Sequence, residues 1–396
     1  MLRNTKAALI SLTRVGYVLC VVALLTAFCS GQTNEIGPDH QPSTNVNWLQ
    51  YRFAANHNGV NPFETVLSPS TVGDLILKWT FTANAGFYGS PTVANGLVYV
   101  GSDDFTFYAL NATTGGKVWS FTTGGFARSS AAVVGGAIYF GSDDLNLYAL
   151  NATTGAKIWS FAAGDGFYSS PTVVNGIVYA GSEDNRVYAV NAATGKMVWS
   201  FATNGAIKYS SPAVVNGVVY IGSWDHTIYA LNAATGAKVW SFKTGSTIES
   251  SPAVVNGVVY VGSRDGNLYA LNAATGAKVW SFKTQKDILS SPAVRNGVVY
   301  FGSDDFNLYA LNARTGAKLW SFATGDVVHS SPAIANGVLY FGSFDNKLYA
   351  LDANTGANLW SYTTGKHILS STAVINGVVY TASEDFDVYT FALPGS

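Results

Sequence analysis

The chain has 396 residues, 11% of them charged and 14% aromatic, with a formal net charge of −1. So few charges, against about 25% in typical soluble proteins, exclude a disordered chain, and the lack of a basic excess removes nucleic acid as a partner. The 41 glycines, together with the aromatic and β-branched residues, favour short buried strands and tight turns over helices.

Residues 1–31 read as a signal peptide. Arg3, Lys6 and Arg14 give a positive start, Val15 to Phe28 is apolar or small, and Cys29, Ser30 and Gly31 follow. The apolar run is short for a membrane span, with an uncleaved N-terminal anchor as the alternative. Its removal leaves 19 basic and 23 acidic residues, a net charge of −4. The mature protein is expected in the periplasm, secreted, or at the cell surface. Cys20 and Cys29 are the two cysteines, so the mature domain is expected to have no disulfide and no thiolate metal site. Cys29 is a candidate for lipid attachment, although Phe28 stands where lipoprotein signals resemble one another in having a small residue. Membrane contact is expected only through such a lipid or signal anchor. Residues 32–46 are polar, contain Gly37, Pro38 and Pro42, and are predicted to be a flexible linker. Residues 47–76 are predicted to be an N-terminal cap.

Residues 77–396 are built on a repeat. Trp79, Trp119, Trp159, Trp199, Trp240, Trp280, Trp320 and Trp360 recur at a spacing of 40, with one step of 41. Tyrosines keep the same beat, from Tyr99 to Tyr380 and from Tyr108 to Tyr389. A period of this length marks a solenoid or a propeller. In the copy at 249–283, Ser251 to Val255 reads as a first strand and Asn256-Gly257 as a tight hairpin turn. Val258 to Val261, Leu268 to Leu271 and Lys278 to Lys283 read as three more strands. Four antiparallel strands make a propeller blade, and no 3.6-residue period competes with that reading. Pro252 and its equivalents place the first strand at an edge, lining the channel. The repeats open with a lone tryptophan strand, 77–81, and end with three strands and no tryptophan strand after them. The predicted fold is therefore all-β: an eight-bladed propeller of four-stranded antiparallel blades, in which the N-terminal strand closes the last blade.

The segment Ala270-Leu271-Asn272-Ala273-Ala274-Thr275-Gly276-Ala277-Lys278-Val279-Trp280 resembles the tryptophan-docking motif of pyrroloquinoline-quinone-type propellers, and the motif recurs in seven copies. The resemblance implies that each of the eight tryptophans docks on the neighbouring blade. It leaves two kinds of protein in view. Quinoprotein dehydrogenases hold pyrroloquinoline quinone and calcium on the propeller axis, whereas BamB-like propellers are non-catalytic. The chain lacks the adjacent cysteine pair and the long insertions of the first kind, and its repeats are more regular than those of BamB. Asn47-Trp48-Leu49-Gln50-Tyr51-Arg52, with His57, Gly59, Asn61 and Pro62, resembles the lead-in of many bacterial proteins with these repeats. It reads as a cap packed on the propeller, with a ligand role for His57 as the alternative.

The candidate site comes from comparing the copies. The aspartates of the second turn, from Asp104 to Asp385, occur in every blade and read as turn-stabilising rather than as calcium ligands, even beside Asp103, Asp143, Glu183, Asp304 and Glu384. No metal and no catalytic residue are assigned. The copies differ most just before the paired serines of the first strand: Tyr88, Arg128, Tyr168, Tyr209, Glu249, Leu289, His329 and Leu369. They differ again after the turn aspartate: Phe105, Leu145, Asn185, His226, Gly266, Phe306, Asn346 and Phe386. Both sets belong to the face where blades are linked. Tyr88, Arg128, Tyr168, Tyr209, Glu249 and His329 are the binding candidates, expected to ring the channel mouth, with neutral drift on a solvated rim as the competing account. The leading expectation is a monomeric, non-catalytic scaffold of the cell envelope or exterior that binds a protein, a peptide or an envelope component without a cofactor. The alternatives are an oxidoreductase using pyrroloquinoline quinone and calcium, and a propeller that senses a small ligand.

Overall fold

The computed structural model describes residues 47–395. Segment 1–31 with both cysteines, and the linker 32–46, lie outside the described residues. Eight antiparallel sheets form the blades. In the blade that follows the closing strand, Thr92–Ala94, Leu97–Gly101, Thr106–Asn111 and Lys117–Thr122 pair in chain order from the channel outward. The first strand is shorter than the sequence pattern implied. It spans Ala253–Val255 in the clearest repeat and leaves Pro252, which lacks an N–H, outside the ladder. The hairpin turns need left-handed backbone at both positions: Asn256 has φ 51° and Gly257 has φ 74°. Each outermost strand bulges just before its tryptophan, as between Lys157 and Trp159. The kink spoils these eight edges as templates for another chain.

The ring closes as its repeat arithmetic requires. Ile76–Thr82 pairs antiparallel with Asp387–Ala392, with Trp79 opposite Thr390 and Thr80 opposite Tyr389. Blades then grip one another through a shared acceptor. Trp119 Nε1 and Tyr99 Oη, both of one blade, donate to the carbonyl of Ala152 in the next, at 3.1 and 3.0 Å. The indole lies on Gly155, where φ is +71° and a Cβ would stand 2.7 Å from the ring. The blade before the closure has no such turn to meet. There Trp360 donates to the carbonyl of Leu75, just before the incoming N-terminal strand, and the buried Tyr340 hydroxyl has no partner among the described residues.

Residues 47–61 of the segment predicted as a cap form a plug inside the channel, and Glu64 to Pro69 then pack on the Asn-Gly turns of the last two blades. The plug circles the axis and meets the equivalent position of one blade after another. The backbone N–H groups of Val93 and Val133 reach the carbonyls of Trp48 and Leu49, and that of Val173 reaches the Gln50 side chain. Val214, Val254, Val294 and Ile334 then donate to Ala55, Asn56, Asn58 and Gly59 at 2.8–2.9 Å. Asn61 ends the circuit by donating to the carbonyl of Val374. The inner edge strands, which in an open channel would need water, are thus paired through protein. His57 is part of this packing. Its Nε2 lies 3.0 Å from Thr172 Oγ1, and burial, then the neighbouring Arg52 charge, lower its pKa to about 3, so it is neutral.

Gly59 has φ +70°, and a Cβ there would meet the Arg52 guanidinium and the carbonyl of Pro332. Gly59→Ala is expected to cost about 2 kcal/mol or more, against about 1 kcal/mol for Gly96→Ala, where φ is +76° but the surroundings are open. Equal losses in chemical denaturation would mean that the plug is loosely held. A second pair isolates the closure. Tyr300→Phe deletes a 3.0 Å bond to Ala353 and is expected to cost about 1 kcal/mol. Tyr340→Phe removes an unsatisfied hydroxyl and should be neutral or stabilising; a loss matching that of Tyr300→Phe would contradict this account.

Candidate binding funnel

The eight positions before the paired serines line one cavity of about 400 Å³ at the channel mouth. Tyr88, Arg128, Tyr168, Tyr209, Glu249, Leu289, His329 and Leu369 form its wall, and Tyr51 of the plug with Ser90, Ser130, Ser170, Ser211, Ser291, Ser331 and Ser371 forms its floor. A wider cavity of about 530 Å³ lies elsewhere, along Thr71–Ile76 and Leu393–Pro394. Asp74 is the one charged group lining it, so it has no set of converging polar groups.

The second turn supplies partners for the wall. Its invariant aspartate faces away, into the blade. Asp104 Oδ1 accepts the N–H of Thr106, and Oδ2 accepts the Tyr108 hydroxyl at 2.6 Å and the N–H of Asn84 in the link from the previous blade. Burial, and then the Asp104 bond, push the Tyr108 phenol up to about 12. At Asp265 the same bonds outweigh burial and hold the carboxyl below its ordinary value. The residue before each aspartate faces the mouth instead. Asp103 takes the Arg128 guanidinium in a fork at 2.8 and 2.6 Å. Arg264 Nε stands 2.9 Å from Glu249, whose side chain is 3% exposed. Lys208 stands 3.2 Å from Glu183, and His329 Nε2 stands 2.9 Å from Asp304; neither contact is aligned as a hydrogen bond.

Aromatic rings hold these charges in place. The Arg128 guanidinium lies 4.4 Å from the Tyr88 ring centre, 4.3 Å from that of Phe126 and 5.5 Å from that of Tyr168. Lys208 lies 5.0 Å from Tyr168 and 5.2 Å from Trp224. Tyr168 and Tyr209 meet edge to face at 5.6 Å. On the other side His329 packs on Phe344, which stacks on His367. Burial, with Glu384 accepting from it, raises the Tyr88 phenol to about 12, so it stays protonated and can donate. The funnel is thus lined mainly by tyrosine, serine and charged groups, with Leu289, Leu369 and Phe344 as its apolar members.

All six sequence-selected residues therefore share one cavity. Arg128, Glu249 and His329 each face a neighbour of opposite type, Asp103, Arg264 and Asp304 respectively. Sequence reasoning missed Tyr51, Lys208, Trp224, Arg264 and Phe344 as parts of the mouth. One signal was available: the residue before the turn aspartate changes from copy to copy as freely as the ring does.

These features define a class first. The molecule is a closed eight-bladed β-propeller with a plugged channel and one variable mouth. Family models then match in two parts. The model described as outer membrane protein assembly factor BamB matches residues 47–131 and 122–225, and that described as the β-propeller of beta-alanine-activating enzyme matches residues 209–395. Among solved structures the chain is similar to a europium-containing methanol dehydrogenase, with 15% identity, a TM-score of 0.76, and coverage of 88% of this chain and 98% of that one. It is similar to BamB from Moraxella catarrhalis, with 20% identity, a TM-score of 0.69, and coverage of 81% and 100%. It is also similar to the quinohemoprotein alcohol dehydrogenase from Comamonas testosteroni, with 16% identity, a TM-score of 0.77, and coverage of 88% and 81%. No curated protein matches by sequence. The chain is a pyrroloquinoline-quinone-like β-propeller.

Arg264→Met strands Glu249 in the wall without its cation. We expect a loss of about 1–2 kcal/mol, moderated because the arginine is itself 41% exposed. The double variant Arg264→Met/Glu249→Gln should recover most of it. Denaturation curves in which the single variant matches the wild type would show that the pair contributes nothing.

Proposed function

We propose that this chain is a non-catalytic binding propeller of the cell envelope or exterior, BamB-like in architecture, which presents its blade-link face to a protein or peptide. One observation carries the reading. Phe105, Leu145, Phe306 and Phe386 stand 38–44% exposed on that face, and all four have left-handed backbone, with φ between 66° and 80°. That conformation costs a residue with a Cβ about 1–2 kcal/mol. The blade does not demand such side chains, since Asn185, Asn346 and Gly266 occupy the same turn position in other copies. Large apolar groups held in water on strained backbone are accounted for by a contact surface. Inside this outer ring, Tyr88, Arg128, Tyr168, Tyr209, Glu249 and His329 offer aromatic faces and fixed charges as the specific contacts. The signal reading of residues 1–31 supports export; among the described residues no helix is long and apolar enough to cross a membrane.

The alternative, an oxidoreductase using pyrroloquinoline quinone and calcium, is favoured by the dehydrogenase-like fold. The donor set at the mouth does not fit that cofactor. A tricarboxylate needs free cations, and Arg128, Lys208 and Arg264 each face a carboxylate already. Among the described residues no group of three or more His, Cys, Asp or Glu is placed to hold a metal ion.

The test compares affinity with stability. A partner recovered from envelope extract should bind the Phe105→Asn/Phe306→Asn/Phe386→Asn variant and the Tyr168→Ala/Tyr209→Ala variant at least about tenfold more weakly. The first variant should be as stable as the wild type or more so, by up to about 1 kcal/mol per site. Trp240→Ala should do the reverse, costing about 3–5 kcal/mol while leaving the mouth chemistry intact. Contacts mapping to the Asn-Gly face, around Asn216 and Asn256, would overturn the reading.

A further inference from the structure

The funnel ends on a floor of serine hydroxyls around the Tyr51 phenol. From Ser130 round to Ser331, each second serine accepts, through Oγ, the backbone N–H of its counterpart one blade earlier, at 2.9–3.0 Å. Ser90 accepts that of Ser371 in the same way. A hydroxyl that accepts there keeps its own proton to donate. Ser291 and Ser331 stand 3.4 and 3.3 Å from the Tyr51 oxygen.

Arg52 lies beneath this floor and is 2% exposed. Its guanidinium donates to the carbonyls of His57, Ser291 and Pro292 at 3.1, 2.8 and 2.7 Å, and more weakly to that of Pro332. Among the described residues no carboxylate pairs with it. Buried charges are ordinarily paired, and carbonyl dipoles leave this one unneutralised. Its effect reaches the floor. Burial pushes the Tyr51 phenol up, yet Arg52 and the serine hydroxyls hold it below its ordinary value. His57, edge-on to Tyr51 at 5.5 Å, is neutral and adds no charge. The cations of the rim are already paired, and Glu384 of the rim sits at the Tyr88 hydroxyl, so the unmatched positive charge of the funnel lies at its bottom, beneath a rim that carries carboxylates.

We propose that this floor is an anion site, which takes the carboxylate of a small organic acid whose body lies between the tyrosine wall and Leu289 and Leu369. The floor supplies neutral O–H donors and a single buried positive charge, which matches one negative charge; a dianion would leave one uncompensated. The cavity of about 400 Å³ is in the usual range for small-molecule sites. The opposed tyrosine and leucine walls suit an aromatic or aliphatic body. The site lies below the rim and does not require a macromolecular partner there.

Calorimetry on the mature protein with 4-phenylbutyrate and its neutral amide, 4-phenylbutyramide, tests this directly. We expect the acid to bind at least about tenfold more tightly than the amide. The preference should persist in Arg52→Lys, which keeps the charge, and vanish in Arg52→Met, with near-UV circular dichroism confirming the fold of each. Should Arg52→Met not fold, Leu369→Glu serves instead: a carboxylate in the wall should abolish acid binding and spare the amide. Equal binding of acid and amide, no binding of either, or an acid preference that survives Arg52→Met or Leu369→Glu would overturn the proposal. These variants leave Phe105, Phe306, Phe386 and the wall tyrosines untouched, so such a failure leaves the docking of a partner on the rim standing.

Discussion

Eight inner edge strands face one axis, and their backbone groups need partners. That constraint organises the molecule. A propeller ring pairs each strand within its blade on one side only, so the channel is lined with open edges. Here the chain meets the demand with its own N-terminal segment, which gives each blade a single partner in turn between Trp48 and Asn61. The left-handed backbone at Arg52, Phe53, His57 and Gly59 accompanies this path, since a segment circling a tight axis must keep turning.

The plug also makes the site. Without it the mouth would open into a through-channel. With it the mouth becomes a closed funnel whose floor is the Tyr51 phenol over the Arg52 charge. Arg52 reads first as a structural clamp, because it ties together the carbonyls that lead into two neighbouring inner strands. A neutral side chain could satisfy some of those carbonyls; the charge is what makes the clamp electrostatically conspicuous from the funnel above.

Between blades the division of labour is clean. The face with the Asn-Gly and Thr-Gly turns is given to assembly: indole on glycine, and two donors on one alanine carbonyl. The linked face is free to vary, because its fixed chemistry, the aspartate and the tyrosine hydroxyl, points into the blade. The closure shows the limit of repetition. At the closing blade Trp360 takes the carbonyl of Leu75, and the Tyr340 hydroxyl has no partner among the described residues. The same division explains why carboxylates adjacent in sequence, Asp103 and Asp104, do different work: one faces an arginine of the next blade, the other a tyrosine in its own blade.

The eight blades, their turns and the closing strand were legible in the sequence because each follows from a local rule repeated at a fixed spacing: alternation for the strands, φ > 0 for Asn256-Gly257, and the excess of one tryptophan strand at the start for the closure. The ring of candidates was legible for the same reason, since variation stands out against repetition. The path of the plug was not, for it has no repeat and pairs residues such as Asn61 and Val374 that lie 313 positions apart. Nor were the ion pairs of the mouth, because Arg128 and Asp103, or His329 and Asp304, lie in different blades and meet only when the ring sets their angle. Local sequence fixes the conformation of a blade; which charges meet between neighbouring blades is a property of the assembled ring.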